Sequence, residues 1–227
     1  MQKIYVQDLT NLRLLHQIET EPNPKGLCEI SLSGRMVLVC LGRDKGEVRV
    51  LHDEVSWIRL IKASDLDVTS VALLSNGRLL AAASTKGTLI RLFDILSVML
   101  LQDMRRGSAF ERTEIHSLSF CSDAEWLALT SNKGTVDVFS LNMDAIKEAK
   151  RNNMYSAEVF HSRVADGSVS RTKRIQHIVA FGYQKNIVLV VGTNGRFYRC
   201  KFDPIVGGEM TQMECHNFLQ PELMSTL

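Results

Sequence analysis

Short runs of apolar residues alternate with tight polar turns along the chain, and one such phrase occurs four times. Each copy has an apolar run, a turn that contains a glycine, and a second run in which apolar and polar positions alternate or apolar residues continue. Because successive side chains of a strand point to opposite faces, this pattern predicts a β-hairpin. The turn glycines are Gly46, Gly87, Gly134 and Gly195.

A further strand candidate precedes each hairpin, at 26–32, 68–74, 115–120 and 177–183. Each repeat is therefore a meander of at least three strands, with a weaker fourth candidate behind it. The turn glycines are 41, 47 and 61 residues apart. A period of about 40–45 residues with four strands per unit is typical of propeller blades. Helical repeats would instead need apolar residues that recur about every 3.6 residues. We therefore predict an all-β, WD-repeat β-propeller.

The repeats also predict the limits of the blades. The first residues supply only the last two strands of a blade, and the last interval is lengthened by a polar, basic segment at 142–174 that predicts a long loop. The predicted units are half a blade at 1–20, four blades at 21–64, 65–106, 107–174 and 175–205, and a tail at 206–227. About four and a half blades suggest an N-terminally shortened propeller, which we expect to be less stable than a closed ring and prone to oligomerise.

Composition and charge narrow the function. Hydrophobic residues make up 45% of the chain and charged residues 23%, which suffices for a buried core. With 27 basic and 25 acidic residues, the net charge of +2 gives no reason to expect nucleic-acid binding, so an anion site requires local placement of basic residues. The five cysteines lack metal-ligand spacing and are interpreted as small buried hydrophobic residues. Neither a signal peptide nor a membrane-spanning run is visible.

The motifs of common enzymes are missing from the sequence. It contains no nucleophile elbow, zinc-protease motif, phosphate-binding loop or dinucleotide fingerprint. The six histidines are scattered, without a carboxylate or cysteine at a useful spacing. We predict that the protein is not an enzyme and that it needs no cofactor or metal.

One basic pair, Arg105 and Arg106, falls where the outermost strand of a blade should end, and Gly107 follows it. Neighbouring side chains of an extended chain point in opposite directions, so the two arginines can serve two separate anion pockets. Guanidinium groups match phosphate through bidentate hydrogen bonds. A solvated loop is the alternative interpretation of this pair.

The segment Arg105–Gly107, which follows Met104, resembles the Phe/Leu-Arg-Arg-Gly motif of the PROPPIN family, which includes the animal WIPI proteins. Three more phrases resemble blade motifs of that family, at 23–27, 84–94 and 131–139. The resemblance implies a seven-bladed propeller that binds phosphatidylinositol 3-phosphate and the 3,5-bisphosphate at two rim pockets. It also implies a role in autophagy and endolysosomal membrane traffic.

The resemblance implies two sets of binding residues: Arg105, Ser84, Thr88 and Arg91 for the first pocket, and Arg106, Ser131 and Thr135 for the second. Family members often have histidine where this chain has Ser64 and Asp137. Because a carboxylate repels phosphate, we expect the first pocket to be the stronger one.

The same resemblance implies a cytoplasmic protein, peripheral on autophagosome-precursor, endosomal or vacuolar/lysosomal membranes. Its implied partners are phosphoinositide-containing membranes and autophagy proteins, with no nucleic acid. A blade-six loop of the family inserts into membranes, and the basic segment 142–174 either docks on anionic lipid or remains solvated. The alternative function is a propeller scaffold that binds only proteins, with degenerate lipid pockets, which Asp137 and the missing blades favour.

Overall fold

The computed structural model describes residues 2–31, 36–52, 57–106, 113–141, 162–165 and 175–219. Within these ranges the secondary structure is β-strand joined by turns, as the repeats predict. No helix in the described part of the chain is long and apolar enough to cross a membrane.

The strands form antiparallel meanders in chain order. A two-stranded sheet comes first, with β1 (Gln2–Gln7) and β2 (Leu14–Thr20). Sheet I contains β3 (Cys28–Ile30), β4 (Val37–Leu41), β5 (Glu47–His52) and β6 (Trp57–Lys62). Sheet II contains β7 (Val68–Leu73), β8 (Leu79–Ser84), β9 (Leu89–Asp94) and β10 (Met99–Arg105). Sheet III contains β11 (Ile115–Phe120), β12 (Trp126–Ser131), β13 (Thr135–Ser140) and β14 (Ser162–Ala165). Sheet IV contains β15 (His177–Phe181), β16 (Ile187–Gly192), β17 (Arg196–Lys201) and β19 (Thr211–Asn217), while the short β18 (Gly208–Glu209) pairs in parallel with β14.

The four sheets are arranged like the blades of a propeller. Their first strands are neighbours, since β3 contacts β7, β7 contacts β11, and β11 contacts β15. Each following strand lies farther out, so that β6, β10, β14 and β19 form the rim. This radial order of four-stranded meanders is that of a β-propeller.

The outer strand of sheet IV lies beyond the predicted limit of the last blade. Strand β19 pairs with β17, although the sequence pattern predicts a tail at 206–227. Most residues of β19 are exposed, so the segment lacks the apolar alternation by which a strand is recognised in a sequence. Residues 175–217 therefore supply the four strands of this sheet.

Separate hydrophobic cores fill the spaces between neighbouring sheets. On β9, Leu92 packs toward sheet III while the next residue, Phe93, packs toward sheet I. On β13, Val138 and Phe139 divide in the same way between sheets IV and II. Because both faces of sheets II and III are covered, their second strands, β8 and β12, are buried at nearly every position. Each buried side chain of the size of Leu92 or Phe139 contributes about 1.5–3 kcal/mol.

Two turn glycines bring the hairpins against the chain segments that lead into the next sheet. Gly46 has a φ of 71° and Gly87 a φ of 63°, a conformation that favours glycine. A Cβ on Gly46 would lie 1.9 Å from the carbonyl oxygen of Ser64, and a Cβ on Gly87 would lie 1.4 Å from that of Thr113. These close contacts set the positions of the hairpin turns at the sheet boundaries, where the predicted binding residues lie.

Candidate functional site

A cleft of about 370 Å³ opens at the boundary between sheets I and II. The four residues predicted for the first pocket all line it. Ser84 ends β8, Thr88 lies in the following turn, Arg91 lies on β9, and Arg105 ends β10. The meander thus brings together side chains from three strands and the turn between two of them.

Arg91 is held against one wall of this cleft. Its Nη1 donates a hydrogen bond of 2.9 Å to the carbonyl oxygen of Ala63, which follows the last strand of sheet I. Its Nε lies 3.4 Å from Oδ1 of Asp103, the residue opposite Arg91 on β10. These contacts fix the guanidinium group, and the carboxylate offsets part of its charge.

Arg105 is the arginine of the cleft that remains available to a ligand. Its side chain is exposed, and no described residue forms a hydrogen bond or ion pair with its guanidinium group. The hydroxyl groups of Ser84 and Thr88, on the same cleft, have no hydrogen-bond partner among the described side chains either. A guanidinium group beside two hydroxyl donors is suited to an anion with several oxygen acceptors, such as a phosphate monoester.

Five residues that the sequence did not assign to this pocket also line the cleft: Ser64, Asp65, Leu66, Lys86 and Leu89. Lys86 adds a third cation to Arg91 and Arg105, against the single lining carboxylate of Asp65. Lys86 lies between Ser84 and Thr88 in one hairpin turn, and this position is the feature of the sequence that could have identified it as a lining residue. Ser64 stands where the family resemblance places a histidine.

The residues of the predicted second pocket meet at the next boundary, between sheets II and III. Arg106 is only 7% exposed and points away from the cleft that Arg105 lines. Its Nη2 donates to Oγ of Ser131 at 3.2 Å and to Oγ1 of Thr135, and these two hydroxyl oxygens are 3.0 Å apart. The adjacent arginines therefore face different sheet boundaries, as expected for neighbours on an extended strand.

Asp137 completes this second group of residues. Its side chain is fully buried, and its Oδ2 accepts a hydrogen bond from Nε of Arg106. The sequence suggested a carboxylate that would repel a phosphate, and the structure places this carboxylate in a buried ion pair with Arg106. We call Arg106, Ser131, Thr135 and Asp137 the Arg106–Asp137 cluster.

Two sequence predictions fall on other parts of the chain. Gly107 lies outside the described residues. So does the basic loop at 142–174, apart from the backbone of β14. Both remain predictions.

Comparison with known proteins places the chain among proteins of one family. The family model described as PROPPIN matches residues 1–166. Autophagy-related protein 18e of Arabidopsis thaliana is 40% identical over 222 residues, which cover 94% of this chain and 58% of the relative. WD repeat domain phosphoinositide-interacting protein 2 of Xenopus laevis is 32% identical over 242 residues, covering 95% of this chain and 55% of the relative. The chain thus spans little more than half the length of these relatives.

Solved structures share the fold at lower identity. Hsv2 of Kluyveromyces lactis superimposes with a TM-score of 0.72 at 20% identity, over 91% of this chain and 65% of the solved one. A complex of KlAtg21 with the coiled coil of AgAtg16 gives a TM-score of 0.74 at 19% identity, over 95% and 65% of the two chains. These likenesses concern the arrangement of the sheets.

Proposed function

The chain belongs to the PROPPIN family, and from this membership we propose that it is a phosphoinositide-binding peripheral membrane adaptor of autophagy and endolysosomal traffic, without enzymatic activity. One relative is named as autophagy-related and another as phosphoinositide-interacting. The proposed ligands are phosphatidylinositol 3-phosphate and phosphatidylinositol 3,5-bisphosphate. The proposed binding residues in the first cleft are Arg105, Arg91, Ser84 and Thr88, together with Lys86.

The observation that carries this proposal is the free guanidinium group of Arg105 on a cleft rich in donors. Arg105 supplies charge and two parallel N–H groups to a phosphate, and Ser84 and Thr88 donate from their hydroxyl groups. Arg91 and Lys86 increase the positive potential along the cleft. Each hydrogen bond to a charged group contributes about 1.5–3 kcal/mol, so the loss of Arg105 weakens binding by about 10- to 150-fold.

The place of action follows from the ligand. We propose that the protein is cytoplasmic and attaches reversibly to autophagosome-precursor, endosomal or vacuolar/lysosomal membranes that display these lipids. Autophagy proteins are its proposed protein partners, in keeping with the autophagy-related name of one relative and with KlAtg21, a neighbour in fold that was solved with the coiled coil of AgAtg16. The segment 142–174 is proposed to add electrostatic attraction to anionic lipids through its basic residues.

Liposome flotation tests the lipid-binding proposal. We expect the protein to float with liposomes that contain phosphatidylinositol 3-phosphate and not with liposomes that contain only unphosphorylated phosphatidylinositol. Arg105→Thr should raise the lipid concentration needed for half-maximal flotation by at least tenfold. Arg13→Thr removes the same charge from another exposed arginine and should bind like the unaltered protein. Equal binding to both liposomes, or undiminished binding of Arg105→Thr, would overturn the proposal.

A protein scaffold without lipid binding is the second candidate function. It is favoured by the ion pair with Asp137, which engages Arg106 inside the protein. Under this alternative, flotation is equally low with both kinds of liposome and does not respond to Arg105→Thr. The flotation experiment therefore separates the two candidates.

A further inference from the structure

The register of the hairpins shows that the two sheet boundaries carry opposite charges at the same position. In sheet II, Ala82, which lies two residues before Ser84, pairs with Arg91. In sheet III, Leu129, which lies two residues before Ser131, pairs with Asp137. Arg91 and Asp137 therefore occupy equivalent positions in neighbouring sheets.

Alignment of the repeated phrases by sequence hides this relation. Counting from Ser84 and from Ser131, the residue that corresponds to Asp137 is Ile90. The turn between the paired residues Ala83 and Ile90 is one residue longer than the corresponding turn in sheet III, which shifts the register by one position. The first cleft thus has a cation where the second boundary has a carboxylate.

The carboxylate of Asp137 contacts Arg106 in the way that the phosphate of a lipid headgroup would. It accepts a hydrogen bond from Nε of Arg106, while Ser131 and Thr135 accept from Nη2. Nε and Nη2 of Arg106 thus already have partners inside the protein, and with Arg106 7% exposed and Asp137 fully buried, an external phosphate cannot approach this pair of donors. A phosphate would have to displace a carboxylate that is covalently attached to the protein, and it would leave that carboxylate buried without its cation.

We propose that the carboxylate of Asp137 takes the place of a bound phosphate at the boundary between sheets II and III. The chain then binds one phosphoinositide headgroup, through the cleft of Arg105. This inference rests on the proposed lipid-binding function. It assigns Arg106 to a cross-link between sheets II and III, and it assigns lipid recognition to Arg105.

Isothermal titration with soluble dibutanoyl phosphatidylinositol 3-phosphate tests the inference by counting sites. We expect one equivalent to bind the unaltered protein. Asp137→Asn removes the charge with little change of shape, and Asp137→Ala also removes the atoms that fill the site, so at least one of the two should bind two equivalents. Asp44→Asn is the control, because it removes the charge of an exposed aspartate and should leave one equivalent.

The outcomes separate this inference from the proposed function. Two equivalents on the unaltered protein would overturn the inference and keep the lipid-binding function, whereas no binding to the unaltered protein would overturn the function itself. If both Asp137 variants retain a native melting transition and still bind one equivalent, the inference is wrong, because the carboxylate is not what keeps lipid from Arg106.

A variant with Asp137 intact covers the case in which the Asp137 variants do not fold. If the cleft of Arg105 is the single site, Arg105→Thr lowers the affinity for the soluble lipid at least tenfold, and no site of the original affinity remains. A residual full equivalent of the original affinity would show that Arg106 binds lipid, and the inference would be wrong.

Discussion

Replacing Arg106 with methionine removes the cation of the Arg106–Asp137 cluster and leaves a long apolar side chain in its place. The carboxylate of Asp137 is fully buried and loses the group that donates to its Oδ2. Removal of one partner of a buried ion pair costs about 3–5 kcal/mol, because the other charge remains out of water without compensation. We therefore expect Arg106→Met to lower the free energy of unfolding by about 3–5 kcal/mol.

A second substitution tests whether this loss comes from the unpaired carboxylate. In Arg106→Met combined with Asp137→Leu, both charges are absent, and the new side chains lie beside Leu129 and Phe139 of the core between sheets II and III. Replacing a buried ion pair by well-packed apolar groups is often nearly neutral, so the double variant should recover to within about 1–2 kcal/mol of the unaltered protein.

Urea unfolding followed by tryptophan fluorescence measures these free energies. The matched control is Arg105→Met, which makes the same chemical change one residue earlier on an exposed side chain and should stay within about 0.5 kcal/mol. If Arg106→Met costs no more than Arg105→Met, or if the double variant is no more stable than the single one, the cluster does not hold the two sheets together as described.

Two further predictions concern the first cleft and the turn beside it. Lys86→Ala should weaken binding to liposomes that contain phosphatidylinositol 3-phosphate by roughly three- to tenfold without lowering the melting temperature, because the side chain adds charge to the cleft; flotation that is unchanged from the unaltered protein would remove Lys86 from the site. In urea titrations, Gly87→Ala should lower the free energy of unfolding by at least about 1 kcal/mol more than Gly26→Ala. The two glycines have a similar positive φ, but of the two only Gly26 has open space for a Cβ. Equal losses would mean that the chain around Gly87 relaxes its contact with the next sheet freely.

The hairpin pattern made much of the fold predictable. The glycine turns at Gly46, Gly87, Gly134 and Gly195 are flanked by apolar runs, and each of them joins the second and third strands of a four-stranded sheet. The second strands of sheets I to III are recognisable, because nearly every residue of β4, β8 and β12 is buried and most of these residues are apolar. Strand β19 was not recognisable, because an exposed rim strand is held by its backbone pairing with β17 and needs no apolar side chains.

The candidate site was predictable in part. The adjacent arginines and the repeated serine and threonine positions pointed to two sheet boundaries, and the structure places Arg105 and Arg106 at different ones. Lys86 was missed as a lining residue, since a lysine in a turn is ordinary unless its neighbours are known to face one cleft.

By itself the sequence determined the all-β repeat architecture, because alternation of apolar residues and glycine turns are local properties that follow from strand geometry. It also determined which residue types stand at the strand ends. The tertiary structure alone decided which of the two arginines is free. Arg105 and Arg106 are adjacent and chemically identical, and their difference comes from Asp137, which lies 31 residues from Arg106 along the chain and reaches it only through the packing of sheet III against sheet II. One additional residue in the turn after β8 further sets Arg91, rather than Ile90, opposite Ala82. Such a shift of register changes which face a side chain occupies, and only the strand pairing reveals it.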